Sequence, residues 1–135
     1  FIERFAGDAI MVVFNALGDQ PDHAIRAARA GLSLRAEAER LATGQPDWPR
    51  FRVGVNTGSA VVGNVGAGEQ RSFSVIGDTT NVAARVQAAA KPGEVLIGPA
   101  TYQRIREMAT VEPLGPVELK GKRDPLELYR LVDLT

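Results

Sequence analysis

The chain has 135 residues, enough for one domain with a sizeable core. Its 16 basic residues balance 16 acidic ones, which argues against a broad electrostatic footprint for nucleic acid. With no cysteine and a single histidine, disulfides, thiolate metal sites, a cysteine nucleophile and multi-histidine zinc sites are excluded, and no apolar run approaches the ~18 residues of a membrane span.

Phe1-Ile2-Glu3-Arg4-Phe5 reads as the middle of a strand, with no Met start and no polar lead-in, so the chain is expected to be a piece of a longer protein. Residues 1–5 alternate apolar and polar, and residues 10–14 are apolar and β-prone. Ala6-Gly7-Asp8-Ala9 between them has turn composition, which predicts a β-hairpin with Asp8 at its tip. Pro21-Asp22-His23 suits the first turn of a helix. Ala24, Ala27, Ala28, Gly31, Leu32, Leu34, Ala38 and Leu41 carry the helical spacing through Thr43. After a loop at 44–49, residues 51–58 alternate as a strand, and residues 59–65 are expected to continue it. A turn at 66–70 leads to a short partner strand at 72–76.

Residues 78–90 predict a second helix, with Asp78 as its N-cap and Lys91-Pro92-Gly93 as its stop. A short strand at 94–97 and a short helix at 99–107 follow. A closing hairpin pairs residues 111–119 with 126–132. Strands and helices mix without strict βαβ alternation, which points to an α+β sandwich with a largely antiparallel sheet.

Several residues invite chemistry. Asp8 on a tight tip is placed to hold a hard cation such as Mg²⁺, although Gly-Asp is also an ordinary turn pair. Asn81 and Arg85 are four apart and share one face of the second helix, near its N-terminus. An amide and a guanidinium there suit charge developing on a phosphoryl group; a solvated polar face beside Val82, Val86 and Ala89 is the plainer alternative. Lys120 and Lys122 flank Gly121 in a loop and can meet a triphosphate as point charges, or simply decorate a hairpin tip. Asp78 reads as a structural cap and His23 as a surface residue. Phe73, Phe51 and Trp48 read as packing rather than a stacking platform.

The order of these features is more specific than any one of them. Glu3-Arg4-Phe5-Ala6-Gly7-Asp8-Ala9-Ile10 resembles the metal-binding hairpin of class III adenylate and guanylate cyclases. Arg52-Val53-Gly54-Val55-Asn56-Thr57-Gly58 and Val61-Val62-Gly63-Asn64-Val65-Gly66 resemble that family's next strand and turn. Ser72-Phe73-Ser74-Val75-Ile76-Gly77-Asp78-Thr79-Thr80-Asn81-Val82-Ala83-Ala84-Arg85 is similar to its signature strand–helix. Ala90-Lys91-Pro92-Gly93-Glu94 and Leu119-Lys120-Gly121-Lys122 fit as well.

The resemblance implies the ferredoxin-like α/β sandwich of this family over residues 1–135, a catalytic domain incomplete at its N-terminus. It implies conversion of a nucleoside triphosphate, ATP by preference, to the 3′,5′-cyclic nucleotide and pyrophosphate. By motif position Asp8 is a metal ligand, Asn81 orients the ribose, Arg85 stabilises the transition state and Lys120 contacts phosphate. Arg4 and Ser74 occupy the base-reading positions; Arg4 stands where a Lys is usual, and Ser74 places the chain in a Ser/Thr-type subgroup. A Ser hydroxyl donates or accepts and does not fix the base by itself. The resemblance further implies two ions, Mg²⁺ or Mn²⁺, and a homodimer with active sites at its interface. An attached regulatory domain outside this segment, a cytoplasmic location and no nucleic-acid partner are also expected. The family's first strand carries another metal aspartate and is expected to precede Phe1, with unpaired backbone edges where it would lie.

Overall fold

A computed structural model describes residues 2–6, 9–16, 19–48, 50–59, 61–65 and 72–135, with backbone alone for 2–6, 61–65 and 72–76. Among them run β1 (Ile2–Ala6), β2 (Ala9–Val12), α1 (His23–Ala42), β3 (Val53–Val55), β4 (Val61–Val65) and β5 (Ser72–Ile76). Then follow α2 (Asp78–Ala89), β6 (Val95–Ile97), α3 (Pro99–Ile105), β7 (Ala109–Val117) and β8 (Leu126–Leu134). A four-stranded sheet in the order β3-β6-β8-β7 forms the centre. Its β3–β6 pair is parallel, and β8 runs antiparallel to both β6 and β7. The hairpins β1–β2 and β4–β5 form two further antiparallel sheets. The α+β architecture and the dominance of antiparallel pairing agree with the expectation.

Successive residues of a strand face opposite sides, and this divides the core in two. Val95 and Ile97 of β6, with Leu131, meet Ala24, Ala28 and Ile105, so α1 and α3 cover one face. Leu96 and Leu128 meet Val82, Val86, Ala90 and Leu119, so α2 covers the other. β6 is buried on both sides, which explains its uninterrupted apolar run. Fully burying such side chains contributes roughly 1.5–3 kcal/mol each.

Small residues set the closeness of both helices. The buried stripe of α1 is Ala24, Ala28, Gly31, Ala38 and Ala42. A Cβ added at Gly31 would lie 3.2 Å from both Val53 Cγ1 and Val95 Cγ1. On the opposite face, a Cβ at Gly54 would meet α2 backbone, 2.7 Å from Gln87 Cα and 2.9 Å from Ala83 O. Gly54 is therefore the position that lets α2 settle onto β3.

Four expectations are corrected. Leu34 and Leu41 are exposed rather than sheet-facing. The stripe passes instead through Arg35, whose guanidinium donates to the carbonyls of Leu131 (3.3 Å) and Val132 (3.1 Å). Trp48 and Phe51 are about half exposed and do not join the core. The strand expected over 51–65 is interrupted between β3 and β4. Residues 56–59 leave the sheet because their polar groups bond elsewhere: Asn56 Nδ2 donates to Thr79 O, and Thr57 Oγ1 shares a hydrogen with Thr101 Oγ1. Finally, Asp78 does not cap α2. Gly77 holds the cap position at φ 142°, with no side-chain cap, and Asp78 is the first helical residue. A φ in that range is reached readily by glycine alone.

Candidate active site

The strand β5 runs straight into α2 through Gly77, and α2 places Asp78, Asn81, Val82 and Arg85 along one side. The turn that follows β7 brings up Lys120, Gly121 and Lys122 opposite them. Together these seven residues line an open groove of about 240 Å³. The i, i+4 spacing of Asn81 and Arg85 thus becomes an actual shared face.

The turn is shaped by its backbone. Lys122 N–H donates to Leu119 O at 3.0 Å, and Gly121 adopts φ +82° between the two lysines. Leu119 is buried against α2, which anchors the turn. Gly121 lies close to the guanidinium: a Cβ there would stand 3.9 Å from Arg85 Nη2.

Electrostatically the groove sets three cations, Arg85, Lys120 and Lys122, against one carboxylate. Lys122 Nζ donates to Asp78 Oδ2 at 2.8 Å, with the Asp78 side chain largely exposed. No local sequence signal marks this pair, because the Lys and the Asp lie 44 residues apart. Among the described residues Arg85 and Lys120 have no ion-pair partner, so their charges are available to an anion. A groove of this composition can bind a polyphosphate and stabilise charge that develops on it.

The remaining expected site residues are distributed as follows. Arg4 lies on β1, opposite Met11 of β2, and Ser74 lies on β5, opposite Gly63 of β4. Strands β1 and β5 approach each other, so the backbones carrying the two expected base-reading residues are neighbours. The β1–β2 hairpin is formed, and Asp8 at its tip lies outside the described residues. His23 is half-buried as the first residue of α1. Among the described residues, no group of three or more His, Asp or Glu side chains gathers to hold a metal ion. None of the described helices is long and apolar enough to cross a membrane.

The chain resembles known proteins along nearly its whole length. It is 35% identical over 138 residues to adenylate cyclase 1 of Rhizobium meliloti, covering 97% of this chain and 21% of that protein. An adenylate cyclase of Mycobacterium tuberculosis is 29% identical over 119 residues, 88% of this chain and 27% of that protein. The chain therefore spans about a fifth to a quarter of the length of these curated relatives. Its fold superposes on the adenylyl cyclase CyaB from P. aeruginosa with a TM-score of 0.91 at 31% identity, over 99% of this chain and 72% of that one. The guanylate cyclase domain of RhGC from Catenaria anguillulae, in complex with GTP, gives a TM-score of 0.90 at 28% identity, over 100% and 73%. The family model for the adenylate and guanylate cyclase catalytic domain matches residues 4–133. Motif order, fold and sequence similarity agree, and the chain belongs to the adenylate and guanylate cyclase catalytic-domain family.

Proposed function

We propose that this chain is the catalytic domain of an adenylate cyclase, acting on ATP in a homodimer. The observation that carries the proposal is the convergence of Asn81, Arg85 and Lys120 on one cationic groove. In the reaction, the ribose 3′-oxygen bonds to the α-phosphorus and the bond from that phosphorus to the β-phosphate oxygen breaks. Pyrophosphate leaves with the bonding pair, and the 3′-hydroxyl proton is released.

Each residue then has a distinct task. The Lys120 ammonium draws in the phosphates as a point charge. The Arg85 fork donates to phosphoryl oxygens as negative charge builds on them, an interaction worth most in the transition state. The Asn81 amide holds the ribose so that its 3′-oxygen faces phosphorus. Arg4 and Ser74 would read the base, Arg4 as donor only and Ser74 as donor or acceptor. Asp8 would contribute a carboxylate to Mg²⁺ or Mn²⁺, whose charge would be supplied to the phosphates. The described residues do not by themselves make a metal site, and the tasks above rest on the chain's own donors.

Cyclisation of GTP is the second reading, favoured by the likeness to a GTP-bound guanylate cyclase domain. Arg4 donors fit guanine O6 as well as an adenine ring nitrogen. Intact Asn81 and Arg85 in one groove favour either cyclase over a non-catalytic regulatory module. The test is a cyclase assay on the full-length protein with ATP and with GTP, each with Mg²⁺ and with Mn²⁺. Faster turnover of GTP would reverse the substrate assignment, and no cyclic product from either would refute the enzyme reading.

A further inference from the structure

The start of α2 is held by unusual means. No side chain caps it, and its first backbone bond, Asn81 N–H to Gly77 O, is long at 3.3 Å. A helix end without a cap frays unless tertiary contacts pin it. Here two side-chain bonds cross from the segment after β3. Asn56 Nδ2 donates to Thr79 O at 3.0 Å, and Thr79 Oγ1 donates to Ser59 O at 2.6 Å.

The segment on the other side of these bonds is itself fixed. Thr57 Oγ1 bonds the wholly buried Thr101 Oγ1 of α3 at 2.8 Å. Asn56 packs on Gly98, where a Cβ would come within 2.8 Å of Asn56 Oδ1. Gly58 makes room for Thr79: a Cβ at 58 would meet Thr79 Oγ1 at 2.5 Å. Two glycines and three polar side chains thus form one seat for the first turn of α2.

Thr79 and Asn81 are two residues apart, about 200° around the helix at 3.6 residues per turn. The bonds to Thr79 hold the back of the turn whose front presents Asp78 and Asn81 to the groove. We infer that Thr79 and Asn56 are positioning residues: they fix the first turn of α2 so that Asn81 meets the substrate in register. This inference rests on the cyclase reading above. A misplacement near 1 Å can cost on the order of 10²-fold in rate, and a loosened turn costs part of that.

The experiment is steady-state kinetics of the full-length protein carrying Thr79→Val, Thr79→Ser and Asn56→Ala. Ser59 is exposed, so water satisfies its carbonyl when the hydroxyl is lost and the fold survives. Thr79→Val lowers kcat on the order of 10-fold, with KM within about two-fold, because Lys120 stands on a different element. Thr79→Ser keeps the hydroxyl and keeps kcat near wild type, whereas a role resting on the methyl alone would spare Thr79→Val and impair Thr79→Ser. Asn56→Ala repeats the kcat-selective loss and carries the test if Thr79→Val does not accumulate as folded protein. A wild-type protein that cyclises nucleotide while both Thr79→Val and Asn56→Ala keep kcat within about two-fold overturns this inference alone. A wild-type protein that cyclises neither ATP nor GTP removes the cyclase reading and the inference together.

Discussion

Replacing Arg85 by alanine separates chemistry from folding with little ambiguity. The side chain is exposed on α2 and has no ion-pair partner among the described residues, so its removal leaves no buried group unsatisfied. Surface changes of this kind usually alter stability by no more than about 0.5 kcal/mol. The thermal midpoint should therefore move by only a few degrees. The expected kinetic effect is far larger. A forked donor aimed at charge that develops in the transition state is worth about 10²-fold or more in kcat, or about 2.7 kcal/mol at 1.36 kcal/mol per factor of ten. Arg85→Lys keeps the charge and loses the fork, and should fall between wild type and Arg85→Ala. The assay is cyclic nucleotide production by the full-length protein at saturating substrate, beside a melting curve for each variant. Arg85→Ala with unchanged kcat and an unchanged melting curve would refute the assignment of Arg85. A collapse of the melting curve would instead place Arg85 in the fold.

Other outcomes follow from the same geometry. Lys120→Ala should raise KM several-fold and weaken its salt dependence, since an exposed point charge acts mainly through screened attraction; isothermal titration with the triphosphate at two ionic strengths checks this. Gly54→Ala drives a Cβ into α2 backbone and should cost about 1–3 kcal/mol in urea unfolding, with loss of turnover as α2 is pushed away. Leu131→Ala, at a fully buried site between α1 and the sheet, should cost about 2–5 kcal/mol in the same measurement. Asp78→Asn removes the partner of Lys122 on an exposed pair and should change unfolding free energy by no more than about 1 kcal/mol, the difference shrinking at high salt.

Local patterns in the sequence were enough for the elements whose side chains answer to one neighbour. The strand at 72–76 was legible to the residue. The hairpin at residues 1–14, the helix at 78–90 and the closing hairpin were legible to within a few residues. The groove was half legible. The spacing of Asn81 and Arg85 declared a common face, and the Lys120-Gly121-Lys122 run declared a cationic turn, because both patterns lie within one element. Nothing local said that the turn would close over that face.

The departures share a cause. Leu34 and Leu41 fit a helical period as well as their neighbours do. Which flank of α1 is buried was decided by the carbonyls of β8 that accept from Arg35 and by the narrow gap over Gly31. Residues 59–65 continue an alternating pattern, but Asn56, Thr57 and Ser59 found partners in α2 and α3 and turned the chain away. Asp78 is a good capping residue by type, yet Gly77 alone accommodates φ 142° at the sharp exit from β5, and the carboxylate went to Lys122 instead. Composition, periodicity and motif order thus determined the kind of protein, its element sequence and the candidate residues that line its groove. Tertiary structure alone decided which faces meet, because hydrogen bonds and close contacts between residues tens of positions apart depend on distances that no local pattern encodes.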